Sequence, residues 1–482
     1  MGQTFQQWAS RTGDLEVAHV DGEGGRLRVY YLSSMADQKT VFHHVLPRLQ
    51  EMDLSTVTLP QIERKIGVTV DQRLYRKNQV IERLMEGDIY IHLDQAEYGI
   101  YFPSDGIQSR QISSPENETN ILGPKNAFVE SLEVNLSLIR RYIQSPQLSY
   151  ERLKAGKTAP VDIALLYMEG ITNQANVQTM RQRIEDLEVA GIIDASTLVQ
   201  LIKDNEFSMF PQLITSERPD RTVAGLMQGQ VVVLVQGSPS AIMGPTTFTQ
   251  LFHATEDSYF RWLISSFLRI LRSTAIFVAL LLTPAYVAVL TFHYEMIPAD
   301  LLISLAQSRS RVPFPPLMEA ILLEGVIELL REAGARLPTK IGQTIGIVGG
   351  IVIGQAIVQA GFTSNILIII VALGALSSFS SPNYSLGAAV RVLRFPIILL
   401  AGIWGGFGIV VGMSFLLTHL LRLTSLGSPY MEPLYPLRFS DMKDSIVRFP
   451  ISFFALRPQI FRPQDNYRFD PEKGSQKEDI DE

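Results

Sequence analysis

The chain of 482 residues contains no cysteine, which excludes disulfides and thiolate metal sites. Its seven histidines show no HExxH or other metal-binding spacing. The phosphate-loop pattern GxxxxGK[ST] is absent, and the glycines of Asp21–Gly25 lack the strand-to-helix context of a dinucleotide site. A net charge of −6 gives no reason to expect nucleic-acid binding. The sequence therefore predicts no enzyme, no metal or other cofactor and no nucleic-acid partner.

Hydrophobic residues make up 46% of the chain but are unevenly distributed. The first 260 residues are polar and mixed, long apolar runs dominate from Ser273 to Leu421, and the last 20 residues are charged. The polar N-terminus has no apolar core of a signal peptide, so we expect the first half to remain in the cytoplasm. The fold class that follows is an α/β cytoplasmic N-terminal region followed by an α-helical, polytopic membrane domain.

The soluble half contains two similar stretches. Arg28–Met52 reads as a strand, a polar turn and an amphipathic helix, and Ile163–Val189 repeats this order, with Tyr31 matching Tyr167. Ile81–Leu93 likewise matches Val223–Val235: a helix, a glycine and a β-branched strand. A glycine between helix and strand is the expected C-terminal cap. These matches predict two tandem, related α/β subdomains; the alternative is chance similarity between ordinary strand–helix units.

Several apolar segments have the length of a membrane span. They are Ser273–Tyr294, Ile341–Gly361, roughly Ser364–Phe379 and Pro396–Leu421, together with the glutamate-bearing helix Leu317–Arg331. Arginines before the first span and basic residues after the last one predict cytoplasmic ends. Two cytoplasmic ends require an even number of crossings, whereas these segments make five, so the number of spans stays open.

The segment Ile341–Gly361 has two distinct faces at 100° per residue. Thr344, Val348, Val352, Gln355 and Gln359 fall within about 80° of one another. This stripe of valines and polar side chains suits a narrow pore with a hydrophobic constriction. The opposite face carries small residues that permit close helix packing, namely Gly342, Gly346, Gly349, Ala356 and Ala360. The alternative is that Gln355 and Gln359 bond a neighbouring helix.

Carboxylates recur in the apolar helix before this segment. Glu324, Glu328 and Glu332 share a face, and a ring of such carboxylates from several subunits would attract cations. The sequence thus adds Glu324 and Glu328 to the pore-lining candidates. Pairing of these glutamates with Arg331 and Arg336 is the structural alternative.

Six motifs, in the same order as in the family, resemble the A subunit of spore germination receptors, the GerA family of endospore-forming bacteria. They are GPKNAFVESLEVNLSLIRR (123–141), SERPD (216–220), FHYEMIPADLLISLA (292–306), VPFPPLMEAILLEGVIELLREAGARLP (312–338), GQAIVQAG (354–361) and SPYMEPLYP (428–436). The resemblance covers the chain from about Gly25 to Arg462.

The resemblance implies a multi-pass subunit of a nutrient-sensing complex in the spore inner membrane. Its partners would be a transporter-like, nutrient-binding B subunit and a lipoprotein C subunit, besides membrane lipid. Several A subunits would form a homo-oligomeric ring that acts as a ligand-gated cation channel; a non-conducting scaffold or signal-transducing subunit is the alternative.

The expected organisation has four parts. These are a first α/β subdomain with its connecting helix (1–150), a second α/β subdomain (151–260), a multi-span helical domain (261–425), and a membrane-surface segment with an acidic, disordered tail (426–482).

Overall fold

The computed structural model describes residues 3–469, except 23–24, 53–57, 67–72, 75–76, 95–98, 105–113, 116–117, 337–349, 351 and 353. The acidic tail and part of the segment proposed to line a pore therefore lie outside the described residues.

Alternating and β-branched sequence in the first 102 residues produces a five-stranded antiparallel sheet in the order β1-β2-β4-β5-β3. The strands are β1 (Leu15–Gly22), β2 (Gly25–Leu32), β3 (Arg73–Leu74), β4 (Ile89–Leu93) and β5 (Gly99–Phe102). The helices are α1 (Gln3–Ala9), α2 (Leu46–Gln50), preceded by a π-helical turn at Thr40–Val45, α3 (Leu59–Ile66) and α4 (Lys77–Glu86). Apolar side chains from both faces of the sheet pack against these helices.

A second five-stranded sheet follows, with the equivalent order β6-β7-β9-β10-β8 and the same antiparallel pairing. Its strands are β6 (Leu148–Ala155), β7 (Val161–Met168), β8 (Ile214–Ser216), β9 (Val231–Val235) and β10 (Ala241–Gly244). The associated helices are α5 (Leu132–Tyr142), which precedes the sheet, α6 (Gln174–Glu185), α7 (Ala195–Ile202) and α8 (Pro219–Gln228).

The two sheets share local details as well as strand order. Tyr31 and Tyr167 both lie on the second strand of their sheet, and each hydroxyl donates to a glutamate of the first strand, Glu16 or Glu151. Gly87 and Gly229 end the matched helices with left-handed φ angles of 99° and 97°. The predicted glycine caps are thus confirmed, because only glycine adopts this backbone without a steric cost.

The apolar half is helical. It contains α9 (Trp262–Phe292), α10 (Ala299–Arg309), α11 (Pro316–Arg336), α12 (Asn365–Phe379) and α13 (Tyr384–Arg422). Residues 354–359 are also helical. Buried apolar side chains of α9, α11, α12 and α13 form a common core.

The last of these helices reverses direction at Gly405. Its φ of 62° and ψ of −140° are not helical. A Cβ on Gly412 would touch Leu400 and Ile397, so the residues after Gly405 run back along those before it. The single span predicted at Pro396–Leu421 is therefore wrong: α13 is a hairpin with arms 384–404 and 406–422. Glycine permits this turn because other residues rarely adopt such angles.

After α13 the chain returns to the second sheet. A two-stranded ribbon, β11 (Thr424–Ser425) and β12 (Ser428–Pro429), lies against it. Asp204 accepts hydrogen bonds from the Thr424 hydroxyl at 2.6 Å and the Gly427 N–H at 3.1 Å. The Tyr430 hydroxyl donates to the Pro211 carbonyl at 2.7 Å. The residues on either side of the helical half thus pack together.

Candidate functional site

Glu324 lies at the centre of the helical half and is fully buried. Nη1 of Arg394, on the first arm of α13, lies 2.8 and 2.7 Å from its two carboxylate oxygens. The Thr283 hydroxyl on α9 donates to one of the same oxygens at 2.8 Å. The ion pair and the Thr283 hydroxyl therefore connect three helices. The two opposite charges compensate each other away from water.

Glu319 forms a second buried contact one and a half turns earlier on α11. Its Oε1 accepts from Arg309 Nη2 at 2.8 Å, and its Oε2 accepts from the Ser364 N–H at 3.3 Å. Ser364 is the N-cap of α12, and its hydroxyl lies 3.1 Å from that of Tyr286. A carboxylate beside a helix N-terminus is favoured by the unpaired N–H groups there.

The later glutamates of α11 are more exposed. Glu328 is 2.9 Å from Arg331 Nη1 and 3.8 Å from Arg391 Nε. Glu332 pairs with Arg336, and both side chains are largely exposed. In the single chain, each of the three glutamates thus has an arginine partner, which favours the pairing alternative. Arg331 and Arg336 were expected partners of these glutamates, whereas Arg394 was not expected.

Most of the candidate residues that are described in the second proposed pore-lining segment, Ile341–Gly361, are exposed in the single chain. Val352 is 58% exposed, and Gln355 and Gln359 of the proposed pore face are also exposed. Ala356 and Ala360, from the proposed packing face, are exposed as well. A Cβ added to Gly350 or Gly354 would meet no atom of the described residues within 4 Å. The remaining candidates, Thr344, Val348, Gly342, Gly346 and Gly349, lie outside the described residues.

The sequence analysis did not predict the arginine partners that α13 provides for these glutamates. Arg391 and Arg394 stand inside the apolar run of α13, where a charged residue usually faces protein or water and has a partner. That signal was present, but sequence alone does not tell which carboxylate lies opposite. Among the described residues no group of three or more histidine, aspartate or glutamate side chains could hold a metal ion.

Two helices of the described part of the chain, α9 and α13, are long and apolar enough to cross a membrane by length and composition; α12 is apolar but shorter. The reversal at Gly405 divides the second of these into two arms of 21 and 17 residues, counted over 384–404 and 406–422.

Comparison with known proteins gives consistent matches along the chain. Residues 3–460 match the family described as Bacillus/Clostridium GerA spore germination protein. Spore germination protein GerQA of Bacillus cereus is 43% identical over 477 residues, covering 98% of this chain and 94% of that protein. The uncharacterized membrane protein YfkQ of Bacillus subtilis is 37% identical, with coverage of 83% and 77%.

A solved structure also resembles the chain. It is a crystal structure of the N-terminal domain of the A subunit of the Bacillus megaterium spore germinant receptor GerK3. The match covers 51% of this chain and 93% of that domain, at 23% identity and a TM-score of 0.38.

Proposed function

Because the chain belongs to the GerA family of spore germination proteins, we propose that it is the A subunit of a germinant receptor and that several copies form a cation channel. Binding of a nutrient to the complex would open the channel and start ion release. The family resemblance supplies the receptor role, and the physical features below support the channel. The transporter-like B subunit and the lipoprotein C subunit are the proposed partners in the spore inner membrane.

Contacts between the helices support an even number of crossings. Thr283 of α9 lies near Arg394 of α13, since both bond Glu324, and Phe292 of α9 lies near Gly405 of α13. Both helices therefore run in the same direction, and α9 is parallel to the first arm of α13. The second arm is antiparallel to both. On α11, Glu319 lies near Tyr286 through Ser364, and Glu324, later in the chain, lies at Thr283. Because Thr283 precedes Tyr286 on α9, α11 is antiparallel to α9.

The same contacts give the direction of α12. Ser364 lies beside Tyr286, and a Cβ on Gly374 would lie 3.8 Å from the Thr283 hydroxyl, so α12 is also antiparallel to α9. Since α11 and α12 run in the same direction, the proposal includes one further membrane crossing between them. Six crossings follow in this proposal, which removes the conflict of five predicted spans with two cytoplasmic ends. The packing of Tyr430 and Asp204 supports ends on one side.

The helical residues 354–359, with Val352 before them and Ala360 after them, carry the channel proposal. Val352, Gln355 and Gln359 are exposed in the single chain, and the described residues leave open space beside Gly350 and Gly354. Small residues permit close approach of a second helix in lipid. Copies of this helix in a ring could therefore pack through Ala356, Ala360 and the glycines, while Val352, Gln355 and Gln359 line the lumen. Thr344 and Val348 would extend the same lining.

A non-conducting, signal-transducing subunit is the second candidate, and the pairing of Glu324 with Arg394 favours it. A carboxylate neutralised by a buried arginine adds little charge to a cation pathway. In that function α11 would serve only to hold the helices together. Glu328, which is 30% exposed, would then be the remaining acidic candidate for a pore entrance.

The receptor role is tested in spores of a host that carries this gene together with its neighbouring receptor genes. Spores without the gene are compared with spores carrying it, over a panel of amino acids, sugars and nucleosides. We expect the strain lacking the gene to lose the response to at least one nutrient, measured as loss of optical density. Unchanged responses to all nutrients that the intact receptor recognises would contradict the role.

A further inference from the structure

The carboxylate of Asp257 lies at the junction of the soluble and helical halves and is 1% exposed. Nε of Arg269 lies 3.0 Å from its Oδ2, and Arg272 forms a second ion pair with its Oδ1. Its backbone carbonyl accepts from the Ser265 hydroxyl at 2.8 Å. These partners lie in the first three turns of α9. Asp257, which precedes the helix, therefore bonds side chains of the helix itself.

The segment after the last helix joins the same contacts. Nη1 of Arg269 also donates to the Asp444 carboxylate at 2.7 Å and to its carbonyl at 2.8 Å. Arg448 donates to the Asp257 carbonyl, and its own carbonyl accepts from the Ser266 hydroxyl at 2.8 Å. Asp257, Arg269, Arg272, Asp444 and Arg448 are called the Asp257 cluster below. It links two segments almost 190 residues apart in the sequence.

Hydrogen bonds to backbone carbonyls connect the cluster and its neighbouring residues to the soluble half. Arg272 Nη1 donates to the carbonyl of Phe252, whose ring packs in the same core as β9. His253 Nε2 donates to the Ser445 carbonyl at 2.7 Å. Burial of the ring, together with the nearby Arg269, lowers the pKa of His253, so its ring remains neutral at physiological pH.

This arrangement resists relative movement of its parts. Separation of Asp257 from Arg269 or Arg272 would leave an uncompensated buried charge, which opposes movement of these parts relative to one another. Beyond the cluster, α9 continues to Phe292 as a single helix. Three turns after Arg272 its Thr283 hydroxyl contacts Glu324, which is bound to Arg394. A displacement of the cluster that moves α9 would therefore also move the contacts of α9 with α11 and α13.

We propose that the Asp257 cluster couples the soluble half to the membrane helices by making residues 252–257, the start of α9 and residues 444–448 move as one unit. Arg269 is the positioning residue, because its guanidinium contacts both Asp257 and Asp444. A rearrangement of the soluble half in the receptor complex would then shift α9 rather than be absorbed by a flexible linker. This inference rests on the proposed receptor function.

Two substitutions test the coupling in spores. Arg269→Lys keeps the charge, but a single ammonium group cannot reproduce the forked contacts. Asp444→Asn removes the charge of the more exposed partner, which is 41% accessible, and should preserve folding. The matched control is Asp465→Asn, since the Asp465 carboxylate bonds Arg457 and Tyr467 within the same C-terminal segment and is not a member of the Asp257 cluster.

We expect Arg269→Lys and Asp444→Asn to slow the nutrient response at least tenfold, with subunit abundance in the membrane unchanged. Asp465→Asn should respond as the wild type. In the purified full chain, hydrogen exchange of the amides at 252–257 and 444–448 should rise together in Asp444→Asn and stay unchanged in Asp465→Asn.

Three results would overturn the coupling. One is a wild-type response of both variants in spores whose response requires the gene. Another is unchanged hydrogen exchange in Asp444→Asn. The third is loss of Arg269→Lys protein from the membrane combined with a normal response of Asp444→Asn, because the cluster would then serve only to hold the fold. A different result would contradict the receptor role itself: spores that lack the gene would respond normally to nutrients.

Discussion

Arg394 and Glu324 form a buried ion pair between α13 and α11, with both side chains 1% exposed and a shortest N–O distance of 2.7 Å. The Thr283 hydroxyl of α9 completes the contact. Because the pair and this hydroxyl join three helices, they fix the mutual register of these helices more specifically than apolar packing can.

Glu324→Gln is expected to leave the Arg394 guanidinium buried without a counter-charge. Loss of one partner of a buried pair costs about 3–5 kcal/mol, so most of the subunit should fail to accumulate. Membrane abundance and the melting temperature in detergent measure this. The matched control is Glu332→Gln, since Glu332 pairs with Arg336 on the surface and should change stability by less than about 1 kcal/mol.

The double variant Glu324→Leu with Arg394→Met separates the pair from a role of Glu324 in conduction. Apolar residues of similar volume often replace a buried ion pair without loss of stability. We expect the double variant to accumulate better than Glu324→Gln. Poor accumulation of the double variant together with normal accumulation of Glu324→Gln would show that the carboxylate faces water instead.

Gly405→Ala tests the hairpin of α13. A Cβ there would lie 2.9 Å from Nε2 of His293 and from Cβ of Phe292, on a backbone with φ of 62°. Such a backbone costs about 1–3 kcal/mol for a residue other than glycine, before the steric conflict is added. We expect reduced abundance and earlier protease cleavage of the Ala variant in membranes.

Gly334→Ala on α11 serves as the control for this change, because no atom of the residues that the structure describes lies within 4 Å of its Cβ position. Alanine favours a helix over glycine by about 0.5–1 kcal/mol, so stability should stay the same or rise. Equal tolerance of Gly405→Ala and Gly334→Ala would rule out the reversal at Gly405.

Asp204 makes the attachment of the segment after α13 sensitive to pH. Burial disfavours the ionised carboxyl, but hydrogen bonds from Arg183, Thr424 and Gly427 outweigh burial and hold the pKa of Asp204 below its usual value. A lowered folded-state pKa stabilises the protein above the unfolded-state pKa of about 3.9, and this stabilisation is lost as the pH falls through the folded-state value.

Asp204→Asn should therefore lower the free energy of unfolding at pH 7 by about 1–3 kcal/mol, through the loss of charge-assisted hydrogen bonds. The difference between variant and wild type should shrink as the pH falls below about 4. Thermal melting of the full chain in detergent at both pH values measures it. A difference that grows on acidification would mean that Asp204 is protonated in the folded protein at neutral pH.

Local patterns were sufficient to predict the repeated strands and glycine caps. Tyr31 and Tyr167, and Gly87 and Gly229, occupy equivalent places because strand alternation and helix capping depend on neighbouring residues. The hairpin of α13 was not predicted, since hydropathy is continuous across Gly405 and only the backbone angles of one glycine reverse the chain.

Long-range pairs were the other part that sequence could not provide. Glu324 and Arg394 are 70 residues apart, and Asp257 and Arg448 are 191 apart. Charge alone indicated that Glu324 needed a partner or water, but several arginines were equally available in the sequence. The choice depends on how α9, α11 and α13 pack, which no local pattern specifies.

In the proposed function, copies of this chain conduct cations through a pore lined by Val352. The most direct measurement is potassium release from liposomes that contain the purified full chain, comparing wild type with Val352→Ala at equal, verified insertion. Alanine widens the lumen and weakens its hydrophobic barrier, so the account predicts little release from the wild type and several-fold faster release from Val352→Ala. Equally slow release from both proteins, inserted and oligomeric, would contradict it.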